Sequence, residues 1–105
     1  MTWKEQKTCG DVPSLRSNCT LHYDEESDSI ILFGGGGNNK RRFNTIHILR
    51  WANKVWTEVE YEANDVVPWE RTYHSSVMKN QLLVMFGGEG IADLDDLWVF
   101  DLRNK

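Results

Sequence analysis

Short apolar runs closed by glycine set the pattern of this chain. Ser29-Ile30-Ile31-Leu32-Phe33 and Gln81-Leu82-Leu83-Val84-Met85-Phe86 each end at a Gly-Gly pair, and residues 94–102 form a third segment rich in apolar and aromatic side chains. Runs this short, bounded by glycine and polar residues, predict strands rather than helices. Their near-continuous apolar character predicts strands covered on both faces. Lys79-Asn80, ahead of the second run, predicts the tight turn of an antiparallel hairpin.

The segments recur. Pro13-Ser14-Leu15-Arg16 matches Pro68-Trp69-Glu70-Arg71 at an offset of 55, and Leu32-Phe33-Gly34-Gly35 matches Met85-Phe86-Gly87-Gly88 at 53. Phe43-Asn44-Thr45-Ile46-His47-Ile48-Leu49 then matches Leu94-Asp95-Asp96-Leu97-Trp98-Val99-Phe100 at 51. Both changes of offset fall in connections, where insertions are tolerated. Thr2-Trp3-Lys4-Glu5 also precedes the first Pro as Val55-Trp56-Thr57-Glu58 precedes the second. The chain therefore reads as a lone fourth strand, a complete four-stranded antiparallel unit, and the first three strands of a second unit. Gly34-Gly35 and Gly87-Gly88 mark the ends of second strands, where a missing Cβ permits unusual φ values and close packing.

This arrangement resembles the kelch repeat of β-propellers. Blades of that family carry an Arg, a His, a Gly-Gly pair closing the second strand, an acidic, apolar and aromatic third strand, and a Trp, with a period near 50 residues. The second unit supplies Pro68, Arg71, His74-Ser75-Ser76, Phe86-Gly87-Gly88 and Asp95-Asp96-Leu97-Trp98-Val99-Phe100-Asp101. The first keeps Pro13, Arg16, Phe33-Gly34-Gly35, Asn44 and Trp56, with Cys19-Thr20 where His-Ser is usual. The resemblance implies an all-β fold of kelch-type blades: residues 1–8 a fourth strand closing a last blade, 13–60 a first blade, and 66–105 three strands of a second. Propellers typically have at least about four blades. Two readings follow: three copies exchange their Trp3 strands and close a six-bladed homotrimeric ring, or the chain is a piece of a longer propeller. Trp3, Trp56, Gly34, Gly35, Gly87, Gly88, His74 and Trp98 are the expected structural and assembly residues, with His74 bonding between blades.

Charge and composition narrow the partners. The formal net charge is −4, from 12 Lys and Arg against 16 Asp and Glu, which lacks the basic footprint of a nucleic-acid binder. No stretch approaches the roughly 18 apolar residues of a membrane-spanning helix, and the first seven residues lack a signal-peptide core. A cytoplasmic chain is expected, with the nucleus also open, and no membrane partner. Cys9 and Cys19 form neither a CxxC nor a zinc spacing, so free thiols in a reducing compartment are expected.

Gly34 to Lys40 fails both phosphate-loop patterns: Lys40 is followed by Arg41 rather than Ser or Thr, and a G-x-G-x-x-G frame meets Asn39. No helix follows to aim its amide groups at an anion. Lys40-Arg41-Arg42 is instead a cationic tip whose counterpart, Gly90-Ile91-Ala92-Asp93-Leu94-Asp95, is acidic. Such tips on one face of a ring would select a protein partner by charge complementarity, or pair with each other across junctions. The resemblance adds Arg16 and Arg71, since the kelch Arg can point toward a binding surface near the channel. Candidate partner-binding residues are thus Arg16, Lys40, Arg41, Arg42, Arg71 and Asp93.

Function is expected to be protein binding or scaffolding through loops on one propeller face, with no cofactor and no catalytic residue. The alternative is a metal-dependent propeller enzyme, similar to copper oxidases or iron-dependent specifier proteins. Cys19, Tyr23, Tyr73 and His74 have the residue types of a copper site, but their spacing does not argue convergence. His22 and His47 lack a second ligand at metal spacing. Asp95 and Asp96, adjacent on a strand, face opposite sides and cannot share acid-base work.

Overall fold

A computed structural model describes residues 1–104. The strands are β1 (Cys9–Gly10), β2 (Thr20–Asp24), β3 (Ser29–Phe33), β4 (Ile46–Arg50), β5 (Val55–Glu58), β6 (Ser75–Lys79), β7 (Leu82–Glu89) and β8 (Asp93–Asp101). They form two sheets, ordered β1-β5-β4-β3-β2 and β6-β7-β8. Strands β2 to β5 make an antiparallel four-stranded blade, and β6 to β8 make three strands of a second. The expected second blade reached position 105, which lies outside the described residues.

Residues 1–8 form no strand within one chain, and Trp3 is 100% exposed. The N-terminal segment joins its own blade through β1, which pairs in parallel with β5, Cys9 against Val55 and Gly10 against Trp56. One expectation, the position of the β6–β7 turn, needs correction. It lies one residue later than Lys79-Asn80. Asn80 and Gln81 carry φ of 50° and 63°, and Lys79 already pairs with Leu82. A two-residue hairpin of type I′ requires positive φ at both central positions, which excludes the paired Lys79.

The two Gly-Gly pairs share one conformation, with φ of 71° and 100° at Gly34 and Gly35, and 65° and 105° at Gly87 and Gly88. A Cβ on Gly35 would stand 2.9 Å from the Ser17 carbonyl oxygen, and one on Gly88 2.8 Å from that of Thr72. Each pair therefore lets the chain entering a blade run against its second strand. In the second blade pairing continues beyond the pair to Glu89, with a register irregularity between Phe86 and Gly88.

The core lies between the blades. Ile31, Phe33 and Ile46 of the first blade cluster with Leu83, Met85 and Leu102 of the second unit, and Ile48, Val59, Met78, Trp98 and Phe100 pack around them. Burial on β8 alternates with the pleat: Asp96, Trp98 and Phe100 are half-buried, whereas Leu97 and Val99 are exposed. The second blade is thus covered on one face only.

Gly88→Ala is expected to lower stability by about 1–3 kcal/mol in urea denaturation, because it adds a side chain at strained φ against fixed backbone. Gly36→Ala is the control: its Cβ would meet nothing nearer than 3.5 Å, and its effect should stay within about 0.5 kcal/mol.

Candidate functional site

The repeated arginines occupy equivalent positions with different partners. Arg71 is 0% exposed. Its guanidinium donates to Asp96 through two nitrogens at 2.7 and 2.9 Å, to the Gly87 carbonyl at 3.0 Å and to the Trp69 carbonyl at 3.0 Å. Expected as a partner-binding residue, Arg71 is instead an internal lock, buried because a fork of this shape satisfies a carboxylate and two carbonyls at once. The same bonds hold the Asp96 carboxyl well below the usual carboxylate range. Arg16 repeats the carbonyl contact, reaching Gly34 at 3.4 Å, but the residue matching Asp96 is Thr45, whose hydroxyl oxygen accepts at 3.1 Å. Without a carboxylate to hold it, Arg16 stays half-buried and lies 3.8 Å from the Phe43 ring centroid.

A cationic cluster follows on the β3–β4 connection. Arg41 also lies over Phe43, at 4.9 Å from the centroid. The loop is held by backbone bonds from Gly37 N–H to the Arg41 carbonyl, Phe43 N–H to that of Gly35, and Arg41 N–H to that of Asn38. Its tip, the 3₁₀ turn Asn38–Lys40, is exposed. Among the described residues, none of Arg16, Lys40, Arg41 or Arg42 forms an ion pair. Beside this cluster Arg42, Asn44, Trp69, Glu70 and Ile91 line an open groove of about 450 Å³, so side chains from both units meet there. Trp69 and Ile91 are exposed large apolar residues. Asp93 is exposed at the start of β8.

Residues 1–105 match a family model described as the KLHDC2/KLHL20/DRC7 Kelch-repeats domain. The chain belongs to the kelch-repeat family. A search of curated proteins found no match.

Between the two kelch blades runs a polar seam. His74 Nε2 shares a hydrogen bond with Thr20 Oγ1 at 2.9 Å, and His22 Nε2 shares one with Ser76 Oγ at 2.6 Å. Gln81 donates to the buried Asp24 carboxylate at 3.2 Å, and Gly35 N–H donates to the Arg71 carbonyl at 2.9 Å. The His74 ring also stands edge-on to Phe33, 5.2 Å between centroids. Of the residue types considered for a copper site, His74 is engaged with Thr20, Tyr23 donates its hydroxyl to Asp28 at 2.8 Å, and Tyr73 is exposed. Among the described residues no three His, Cys, Asp or Glu side chains group at metal-binding distance.

The groove residues Trp69 and Ile91 and the ring of Phe43 were not singled out by the sequence as binding residues. Trp69 and Ile91 carry a signal all the same: apolar residues in connections, which a kelch strand pattern leaves unexplained.

Acid should loosen the seam. Burial, with the Arg71 guanidinium and His22 close by, pushes the His74 imidazole down to about 4. Burial also lowers His22 and His47. A free imidazole titrates near 6.5, so between about pH 6.5 and 4 the unfolded chain binds protons that the native state refuses. Stability should be full above this window and fall as pH drops through it, by up to about 1.4 kcal/mol per pH unit for His74. Asp96, held low, contributes only at more acidic pH. Urea midpoints at pH 7.5 and 5 should differ less in His74→Gln than in the parent; an unchanged difference would clear His74 of this role.

Proposed function

We propose that this chain is a kelch-type protein-interaction module that takes an acidic protein segment on its loop face. The observation behind this is the groove of Arg42, Asn44, Trp69, Glu70 and Ile91, with Lys40 and Arg41 next to Arg42 in the chain and Arg16 and Arg41 over the Phe43 ring. Four cations without carboxylate partners, on a chain of net charge −4, form a local field of opposite sign to the rest of the molecule. Such a field steers an acidic segment to the groove and sets its register. Exposed Trp69 and Ile91 offer a large apolar contact for a side chain carried between the acidic residues, the kind of anchor on which binding energy concentrates. Phe43, under Arg16 and Arg41, holds those guanidiniums by cation–π contact so that less freedom is lost on binding.

Kelch repeat domains are generally non-enzymatic interaction modules, which agrees with this reading. The cytoplasm, or the nucleus, is the proposed location, since two free cysteines suit a reducing compartment. The competing reading, a metal-dependent propeller enzyme, would be established by stoichiometric copper or iron in the purified protein.

Selection from a peptide library of random Asp, Glu and apolar positions should return acidic sequences carrying at least one large apolar residue. Arg41→Glu with Arg42→Glu should weaken those peptides by about tenfold or more at low salt, and less at high salt, where surface charge is screened. Trp69→Ala should weaken them at both salt concentrations. Equal binding by the charge-reversed variant would remove the proposed site.

A further inference from the structure

Arg41 and Arg42 serve two different pockets. The backbone is extended at Arg41, with φ of −68° and ψ of 136°, and successive side chains on extended backbone point to opposite sides. Arg42 lines the groove that holds Trp69 and Ile91. Arg41 lines a second opening of about 460 Å³, with Ser14, Leu15, Asn38, Asn39 and Phe43.

The two linings differ in charge. The groove contains a carboxylate, Glu70; the second pocket contains none. Each polar side chain in the second lining is able to donate: the Arg41 guanidinium, the exposed amides of Asn38 and Asn39, and the Ser14 hydroxyl. Arg16 fixes Ser14 in that role. Its guanidinium donates to Ser14 Oγ at 3.1 Å and to the Ser14 carbonyl at 3.2 Å. A hydroxyl whose oxygen already accepts keeps its own hydrogen for another partner.

Positive charge at this place is doubled and uncompensated. The guanidinium carbons of Arg16 and Arg41 lie 3.8 and 4.9 Å from the Phe43 ring centroid, so the two charges are closer than the Debye length of about 10 Å at 0.1 M salt. Burial first, and the Arg41 charge with it, push the Arg16 guanidinium down from its ordinary value. Among the described residues Arg41 forms neither an ion pair nor a side-chain hydrogen bond, so its N–H groups are open to a ligand. Backbone bonds hold it in place: Gly37 N–H donates to the Arg41 carbonyl at 2.8 Å, and Arg41 N–H to that of Asn38 at 3.1 Å. The floor is open because residue 37 has no side chain. A Cβ there would stand 3.3 Å from the Phe43 ring and 3.4 Å from the Leu15 carbonyl oxygen.

Two cations and a lining of donors call for an anion richer in charge and acceptors than a carboxylate. A carboxylate brings a single charge and two oxygens. A phosphate monoester brings about −1.5 to −2 and three acceptor oxygens, and it takes a guanidinium fork in bidentate fashion. The source of the phosphate follows from the rest of the molecule. A net charge of −4 opposes approach to an anionic membrane surface or a nucleic acid, whereas a peptide meets this loop end as one short segment. We propose that Arg41, Ser14, Asn38 and Asn39 form a phosphoryl-binding subsite for a phosphoserine or phosphothreonine of the partner segment, whose large apolar side chain occupies the neighbouring Trp69–Ile91 groove. Arg16 acts through Ser14 and Phe43 as a positioning residue. The peptide source of the phosphate rests on the loop-face reading; the preference for phosphate does not.

Two peptide pools with random Asp, Glu and apolar positions test this, one with phosphoserine fixed at the centre and the other with Glu. The phosphoserine pool should bind about tenfold more tightly or better at low salt. Arg41→Gln, at an exposed position, should bring the two pools level. Ser14→Ala should weaken the phosphoserine pool by about threefold to tenfold, the scale of one hydrogen bond, and spare the Glu pool. Trp69→Ala should weaken both pools alike. In nitrogen NMR, O-phospho-L-serine should shift the Arg41 Nε–H signal saturably and L-aspartate should not. Equal binding of the two pools overturns the subsite and leaves the acidic-segment reading standing. A phosphoserine preference that survives Arg41→Gln overturns the assignment of these residues. A shift of Arg41 by O-phospho-L-serine with neither pool bound supports the subsite and removes the loop-face peptide reading; no shift and no bound pool overturns both. Capture of vesicles containing phosphatidylinositol 4-phosphate without binding of the phosphoserine pool overturns the peptide source in favour of a lipid headgroup.

Discussion

A sheet with two apolar faces needs two neighbours, and the rest of this structure depends on how that demand is met. Ile31, Phe33 and Ile46 find their cover in Leu83 and Met85 of the next blade. The contact is the main hydrophobic core of the chain; neither sheet encloses a core alone. A chain of this length has little volume for any other core. Special backbone features shape each blade and the seam between them. The left-handed glycines clear Ser17 and Thr72, the I′ turn at Asn80 and Gln81 returns β7 against β6, and the Arg71 carbonyl receives Gly35 N–H across the seam.

One substitution between repeats separates a buried arginine from a half-exposed one. Asp96 in the second unit holds Arg71 by two hydrogen bonds and turns a long cation into an internal strut. Thr45 in the first offers a single hydroxyl, and Arg16 turns to the face of Phe43 instead. The same backbone position thus yields a buried lock in one blade and a half-exposed charge in the other. With Lys40, Arg41 and Arg42 nearby in sequence and unpaired, the first blade concentrates positive charge at its loop end while the chain as a whole is acidic.

Features that depend on neighbours in sequence were legible before the fold was known; features that depend on the other sheet were not. The apolar runs, the two Gly-Gly pairs and the repeat offsets record local geometry, so β3 and β8 fall within a residue of their expected bounds, and β7 starts within one but runs three residues past Phe86. The turn missed by one because its position depends on which two residues adopt positive φ, and Lys79 reads as well as Gln81 in composition. Arg71 and Arg16 look alike as letters; only the partner 25 residues beyond Arg71, and the Thr 29 beyond Arg16, separate their roles. The parallel pairing of β1 with β5 joins residues more than 40 positions apart through two short contacts and leaves no periodic signal.

Direction at the junction between the blades comes from its polar pairs. Inside the chain, Thr20 with His74 and His22 with Ser76 tie particular atoms across the interface, so a slip of one residue would strand polar groups in an apolar layer. The repeat counterparts of His22 and Ser76 are Val77 and Leu21, both apolar and exposed. Apolar contact supplies attraction without direction. Core and seam are therefore complementary: the apolar cluster holds the two blades together, and the polar pairs fix where they stop.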